Sequence, residues 1–190
     1  MRRVLNERVL LVGNGPSALS LEKGEEIDRF PFVCRFNDFK VRGFERWVGS
    51  KCTHLFVNKR CVPVAGERED LGRVVHAYLA VKGKYERVPV DRILLEKFSR
   101  VDRVPKWVWD ETCMAMGCEK PSCGALAAMM FTSMRWEVWL YGFDFFRTEV
   151  NHYGDSVKKS ECHKAEKEVP YFREMVGKEK ISLFGRYTVL

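Results

Sequence analysis

No stretch of the chain approaches the ~20 consecutive apolar residues that a membrane-spanning helix requires. The start, Met1-Arg2-Arg3, is basic like a secretory leader, but the apolar run Val9 to Val12 stops at Gly13 and is too short for a leader's apolar core. There is no Cys-x-x-Cys pair. The seven cysteines, Cys34, Cys52, Cys61, Cys113, Cys118, Cys123 and Cys162, are odd in number, and the interval of five from Cys113 to Cys118 to Cys123 is not a zinc-knuckle spacing. They read as reduced thiols. The expectation is a protein without membrane anchor or signal peptide, cytoplasmic or otherwise soluble in a reducing compartment, with peripheral membrane contact left open. No Asp-x-Asp pair occurs anywhere, so the usual ligand motif for a metal-bound diphosphate is missing. Internal repeats, low-complexity tracts and domain linkers are also absent.

What is present fits one domain spanning 1–190. A chain of 190 residues, 46% apolar and 13% aromatic, is long enough to bury a core without disulfide or metal staples. The formal net charge is +7, from 33 basic and 26 acidic residues. Such a surface attracts anions. The basic residues are spread along the chain without a dense tract or a nucleic-acid-binding signature, so no nucleic-acid partner is expected; the charge reads as a solvated basic surface, with a site for a doubly anionic small ligand as the functional alternative.

The strong periodic segments alternate. Arg8 to Val12 reads as a buried parallel strand entering the loop Gly13-Asn14-Gly15-Pro16-Ser17. A helix capped by Ser17 is expected from Ala18 to Arg29, then strands over Phe32–Phe36 and Thr53–Val57. The middle is less patterned, with a strand over Val74–Val81 and helical spacing over Val90–Arg100. A helix over Ser122–Met134, a strand over Glu137–Tyr141, a polar loop over Phe145–Lys159, a helix over His163–Met175 and a strand over Lys180–Phe184 complete the reading. Strands alternating with helices predict an α/β fold, a single Rossmann-like domain with a mostly parallel central sheet flanked by helices.

Three places carry chemistry. In a doubly wound sheet, ligands bind beyond the carboxyl ends of strands, which puts Gly13, Asn14 and Gly15 at a candidate phosphate site. The turn also fits a degenerate dinucleotide fingerprint, though Pro16 is unusual within it and only Asp38 could be the acidic partner. Pro121-Ser122-Cys123-Gly124 opens a small-residue helix whose free N–H groups suit an anion. Histidine is scarce, with four in the chain, yet His152 and His163 both fall late, beyond the last confident central strand, where proton transfer near neutral pH would use them.

Taken in order, these segments resemble glycosyltransferase family 29, the sialyltransferases. Val9–Gly15, Gly24–Asp28, Val33–Asn37, Gly43–Glu45 and Val48–His54 are similar to the large sialylmotif, and Pro121–Gly124 through Glu137–Phe143 to the small one. His152-Tyr153-Gly154-Asp155 resembles motif III, and His163 with Glu168 has the His-x4-Glu spacing of the very-small motif. The Gly-Asn-Gly-Pro-Ser turn and Gly142-Phe143-Asp144-Phe145-Phe146 also look like bacterial sialyltransferase family 42.

The resemblance implies a GT-A-like, metal-independent transferase with no cofactor. It would move sialic acid or a related 3-deoxy-ulosonic acid from a cytidine-monophosphate (CMP) sugar to a glycan hydroxyl. By the same resemblance Asn14 and Asn37, with Asn58, hold the donor. Ser122, Cys123 and Gly124 line its site, His152 and Tyr153 contact the phosphate, His163 is the general base and Glu168 supports it. The chain departs from the animal enzymes in three ways: Val9 and Arg135 occupy the positions of their bridging cysteines, Cys123 replaces a threonine, and Gly154 replaces motif III's second tyrosine. Two rival expectations are a nicotinamide- or flavin-dependent oxidoreductase built on the Gly13-Asn14-Gly15 turn, and an inactive module that binds glycan or nucleotide.

Overall fold

The computed structural model describes residues 7–67, 71, 76–81, 90–145, 152–154 and 165–185. Among them, seven strands form one sheet in the order β5-β4-β3-β2-β1-β6-β7. The strands are β1 (Arg8–Val12), β2 (Phe32–Phe36), β3 (His54–Asn58), β4 (His76–Ala80), β5 (Val101–Arg103), β6 (Glu137–Tyr141) and β7 (Ile181–Leu183). Every pairing is parallel. The expected α/β class therefore holds, and the sheet is parallel throughout the described residues.

Parallel strands covered on both faces read as continuous apolar runs, as Val9 to Val12 does. Alternate side chains still go to opposite layers. Val9, Leu11, Cys34, Phe36, Phe56, Val138 and Leu140 face the layer formed by α5 (Lys106–Met116), α6 (Cys123–Ser133) and α7 (Ala165–Gly177). Leu10, Val12 and Val33 face α1 (Gly24–Asp28) and α2 (Glu45–Val48), while Leu55, Val57 and Leu79 face α3 (Val62–Glu67) and α4 (Val90–Lys97). Each fully buried Leu or Val contributes about 1.5–3 kcal/mol through apolar burial alone. In α6, the run Cys123–Ala128 is buried on every side, because the helix is wedged between the sheet and the α5 and α7 pair. Small residues at its start permit that close approach.

Several expectations change. The single helix over Ala18–Arg29 is two pieces, a 3-10 turn at Pro16–Leu19 and α1. Ser17 does not cap it: the cap is Gly15, and the Ser17 hydroxyl has no hydrogen-bond partner among the described residues. Pro16 at the first helical position pulls the entry two residues earlier. Strand β5 and helices α2, α3 and α5 were not anticipated. They are short, edge-lying or, for α5, carry apolar residues without a clean helical stripe. The buried Arg35 ties the second strand to the following loop. It donates to the backbone oxygens of Lys51 (2.8 Å), Val48 (2.7 Å) and Gly49 (3.0 Å), so this charge holds architecture.

Strand order reverses beside β1. The chain steps outward from β1 to β5, then returns to place β6 against the other side of β1. In an open α/β sheet, that switch point opens a crevice at the carboxyl ends of the strands.

Candidate active site

A cavity of about 210 Å³ lies at this switch point. Gly13, Asn14 and Gly15 reach it from the end of β1, Asn37 from β2, Asn58 from β3, and Gly142 to Phe145 from β6. Ser122, Cys123 and Gly124 bring the start of α6, and His152 and Glu168 complete the wall. Residues that lie far apart in sequence thus share one space because a parallel sheet aligns its strand ends.

Close backbone approach explains the glycines. A Cβ on Gly13 would stand 2.4 Å from the Gly142 carbonyl oxygen, and one on Gly15 would stand 2.4 Å from Asp144 Oδ2. The Gly13 N–H donates to Tyr141 O (2.8 Å) and the Gly15 N–H to Gly142 O (3.1 Å), which locks the two turns together. Gly142 itself has φ +67°, a conformation that favours glycine.

The asparagines are fixed by local bonds. Asn14 Nδ2 donates to Phe36 O (3.1 Å), leaving its Oδ1 buried without a partner among the described residues. Asn37, at φ +53°, accepts at Oδ1 from the Asn58 N–H (2.9 Å) and from the Cys123 thiol (3.6 Å). Asn58 spends its own Oδ1 capping a short turn, accepting from Arg60 N (2.9 Å) and Cys61 N (3.2 Å).

Ser122 caps α6. Its hydroxyl accepts from Ala125 N (3.2 Å), which leaves the N–H groups of Cys123 and Gly124 in the helix's first turn, where no intrahelical acceptor exists. That terminus carries positive partial charge toward the cavity. Burial pushes the Cys123 thiol up to about 12, with the nearby Cys61 adding to it, so this group is a neutral S–H donor and no nucleophile at neutral pH. Glu168, 3% exposed, is pushed from 4.5 to about 7 by burial, while its hydrogen bonds to the Ser122 hydroxyl and backbone pull the other way. It is therefore a carboxyl poised between neutral and charged near physiological pH.

Tyr153 does not line the cavity. Its ring packs edge-on against Phe44, its hydroxyl donates to Lys40 O (2.7 Å), and its N–H donates to Asn14 O (2.9 Å). It braces the Asn14 turn from behind. His163 lies outside the described residues.

Two polar residues of the cavity wall were not among the expected site residues. Asp144 follows the Gly142-Phe143 turn, is 7% exposed and accepts from the Ser17 N–H (3.0 Å). Trp109 comes from α5 and buries an indole Nε1–H without a partner among the described residues. Asp144 was visible as the end of a central strand at the switch point; Trp109 had no signal once α5 went unread. Among the described residues, no three His, Cys, Asp or Glu side chains gather into a metal-binding group. Nor is any helix there long and apolar enough to cross a membrane.

A model of glycosyltransferase family 29 (sialyltransferase) matches residues 7–99. The human CMP-N-acetylneuraminate-beta-galactosamide-alpha-2,3-sialyltransferase 1 is 29% identical over 209 aligned positions, covering 96% of this chain and 60% of that protein. A crystal structure of a mammalian sialyltransferase superposes with a TM-score of 0.68 at 25% identity, over 94% of this chain and 69% of that one. The chain is similar to glycosyltransferase family 29, by the family model over its first half and by sialyltransferase relatives along most of its length. A relative from Arabidopsis thaliana, the beta-1,6-galactosyltransferase GALT29A, is 36% identical over 69 residues, 35% of this chain and 17% of that protein. This chain spans 60% of the length of the human relative.

The departures from the resemblance have a physical reading. Gly154 has φ +75°, and a Cβ there would stand 2.9 Å from the Phe44 ring, so the motif-III tyrosine has no room in this backbone. At Cys123 the family's hydroxyl becomes a thiol that still donates to Asn37. Val9 is sealed in the core of β1, and Arg135 turns the chain into β6 at φ +60°. No disulfide joins any two of the six described cysteines, and Cys162 lies outside the described residues.

Proposed function

We propose that this chain is a catalytic domain, spanning 1–190, that transfers sialic acid or a related 3-deoxy-ulosonic acid from a CMP-sugar to a glycan hydroxyl without a metal ion. One observation carries the reading: a single cavity collects Asn14, Asn37, Ser122, Cys123, Gly124, His152 and Glu168 from segments spread across the chain, at the switch point of a family-29-like fold. The oxidoreductase alternative uses only the Gly13-Asn14-Gly15 turn and gives those other residues no task.

The chemistry follows from the donor set. The bond from the anomeric carbon to the phosphate oxygen breaks, CMP departs with the electron pair, and an acceptor oxygen bonds the same carbon as its proton leaves. Positive charge builds on the sugar ring and negative charge on the phosphate. The first-turn N–H groups of α6 and His152 meet that phosphate; such preorganised donors stabilise developing charge without reorganising. A monophosphate is a good leaving group, so fixed hydrogen-bond donors suffice in place of a Lewis acid. His163 takes the acceptor proton, a role worth about 10²–10⁴-fold in rate. Holding both substrates in line contributes roughly 7–11 kcal/mol more. The same reading has the enzyme at work with its thiols reduced; no disulfide joins any two of the six described cysteines.

The test is transfer from CMP-N-acetylneuraminate to Gal-beta-1-3GalNAc-ortho-nitrophenol, the compound bound in a solved relative, with EDTA present throughout and an activated galactose as control donor. Turnover that survives EDTA and needs the CMP donor is expected. Turnover only with added divalent metal, or only with the galactose donor, overturns the mechanism.

A further inference from the structure

Three buried polar atoms on cavity-lining residues have no hydrogen-bond partner among the described residues: Asn14 Oδ1, Trp109 Nε1 and Asp144 Oδ1. A buried polar atom left unpaired costs free energy, so such a group in a folded site calls for an explanation. Two of the three are acceptors and one, the indole N–H, is a donor only. Phosphate cannot satisfy them together, because it offers no donor when ionised. A nucleoside can, since it carries hydroxyl or amino donors beside carbonyl acceptors.

Charge separates the cavity into two poles. The start of α6, with its uncommitted first-turn N–H groups, favours an anion. Asp144 does the opposite: more than nine-tenths buried, it is held by the Ser17 N–H on Oδ2. No described cation forms an ion pair with it, so its second oxygen would repel a phosphate and attract a neutral donor. Gly15 is kept side-chain-free against that carboxylate, since a Cβ would stand 2.4 Å from Oδ2. Asp144 is therefore clamped in place before any ligand arrives.

We propose that Asp144 is a specificity-determining residue, whose Oδ1 accepts a hydrogen bond from a neutral donor of the nucleoside, a ribose hydroxyl or the exocyclic amine of the base, and so fixes the nucleotide with its phosphate toward α6. This rests on the CMP-donor reading above. Asp144→Asn tests it with little change of volume. The new amide oxygen can keep the Ser17 N–H, and the amide N–H₂ then replaces the acceptor that faces the ligand with a donor.

The experiment is calorimetric titration of wild type and Asp144→Asn with CMP, 2′-deoxy-CMP, 3′-deoxy-CMP and UMP. CMP affinity is expected to fall about 10- to 100-fold in the variant, as for the loss of one hydrogen bond to a charged group. Wild type should discriminate against at least one of the three analogues by a similar factor, and in the variant that discrimination should collapse toward unity. The analogue that shows this tells a ribose hydroxyl from the amine. A variant that binds CMP like wild type, or one that loses affinity while keeping every discrimination ratio, overturns the proposal. Should Asp144→Asn not fold, the wild-type titrations still decide: equal affinity for all four ligands refutes it. A wild type that binds no cytidine nucleotide removes the donor reading itself, and this inference with it.

Discussion

Replacing Glu168 with glutamine removes one buried carboxyl and tests how this site is held together. Burial raises the Glu168 carboxyl from 4.5 to about 7, and the Ser122 hydrogen bonds only partly offset it. The folded state therefore holds this proton more tightly than the unfolded chain. Its contribution to stability is fully present below pH 4.5 and is lost as pH rises through about 7. The gap between the two values corresponds to roughly 3 kcal/mol. His54 acts in the opposite sense. Burial, with neighbouring His76 adding to it, lowers its imidazole from 6.5 to about 4, so its contribution is lost as pH falls through that range. The two slopes offset each other across pH 4.5 to 6.5 in the wild type. Glu168→Gln keeps an oxygen for the Ser122 N–H and takes away one slope. Relative to wild type, the variant should gain on the order of 3 kcal/mol between pH 4.5 and 7.5. Urea unfolding of both proteins at pH 4.5, 6 and 7.5, read from midpoints at unchanged m-value, measures that difference. A difference that stays constant across pH would show that Glu168 is not a proton-holding group in the folded state.

Other consequences are as direct. Gly13→Ala puts a methyl 2.4 Å from the Gly142 carbonyl, so the β1 and β6 turns must separate; thermal unfolding should report a loss of about 1–3 kcal/mol, and CMP binding should weaken with it. His163→Ala should slow single-turnover transfer by about two orders of magnitude with donor binding nearly intact, because a base acts in the transition state; a folded variant with near-native rate would remove His163 as the base. His152→Ala should weaken CMP binding as well as slow transfer, and titration of the same preparation separates the two effects.

The sheet and much of the cavity wall could be read from sequence because both obey local rules. Val9 to Val12 is an aliphatic run and Val138 to Tyr141 a mixed aliphatic and aromatic one, each ended by glycine, and both prove to lie in central strands meeting at the switch point. The small-residue helix opened by Ser122 was legible, and the Ser122 hydroxyl caps it by accepting from Ala125 N. What escaped depends on tertiary contact. Ser17 looks like a cap by type, yet its N–H is taken by Asp144, 127 residues later. Trp109 sits on a helix with no clean apolar stripe, and its indole reaches the cavity only because α5 packs on α6. Tyr153 falls inside a recognisable motif, but its hydroxyl is committed to Lys40 O, a contact that no spacing rule foretells.

Nucleotide preference tests the central claim most directly. Calorimetric titration of the purified chain with CMP, UMP and GMP at one pH and salt concentration should give clear binding to CMP and at least tenfold weaker binding to the other two, a difference of about 1.4 kcal/mol. Equal affinity for all three, or none for CMP, would contradict the assignment of this cavity to a cytidine-monophosphate sugar.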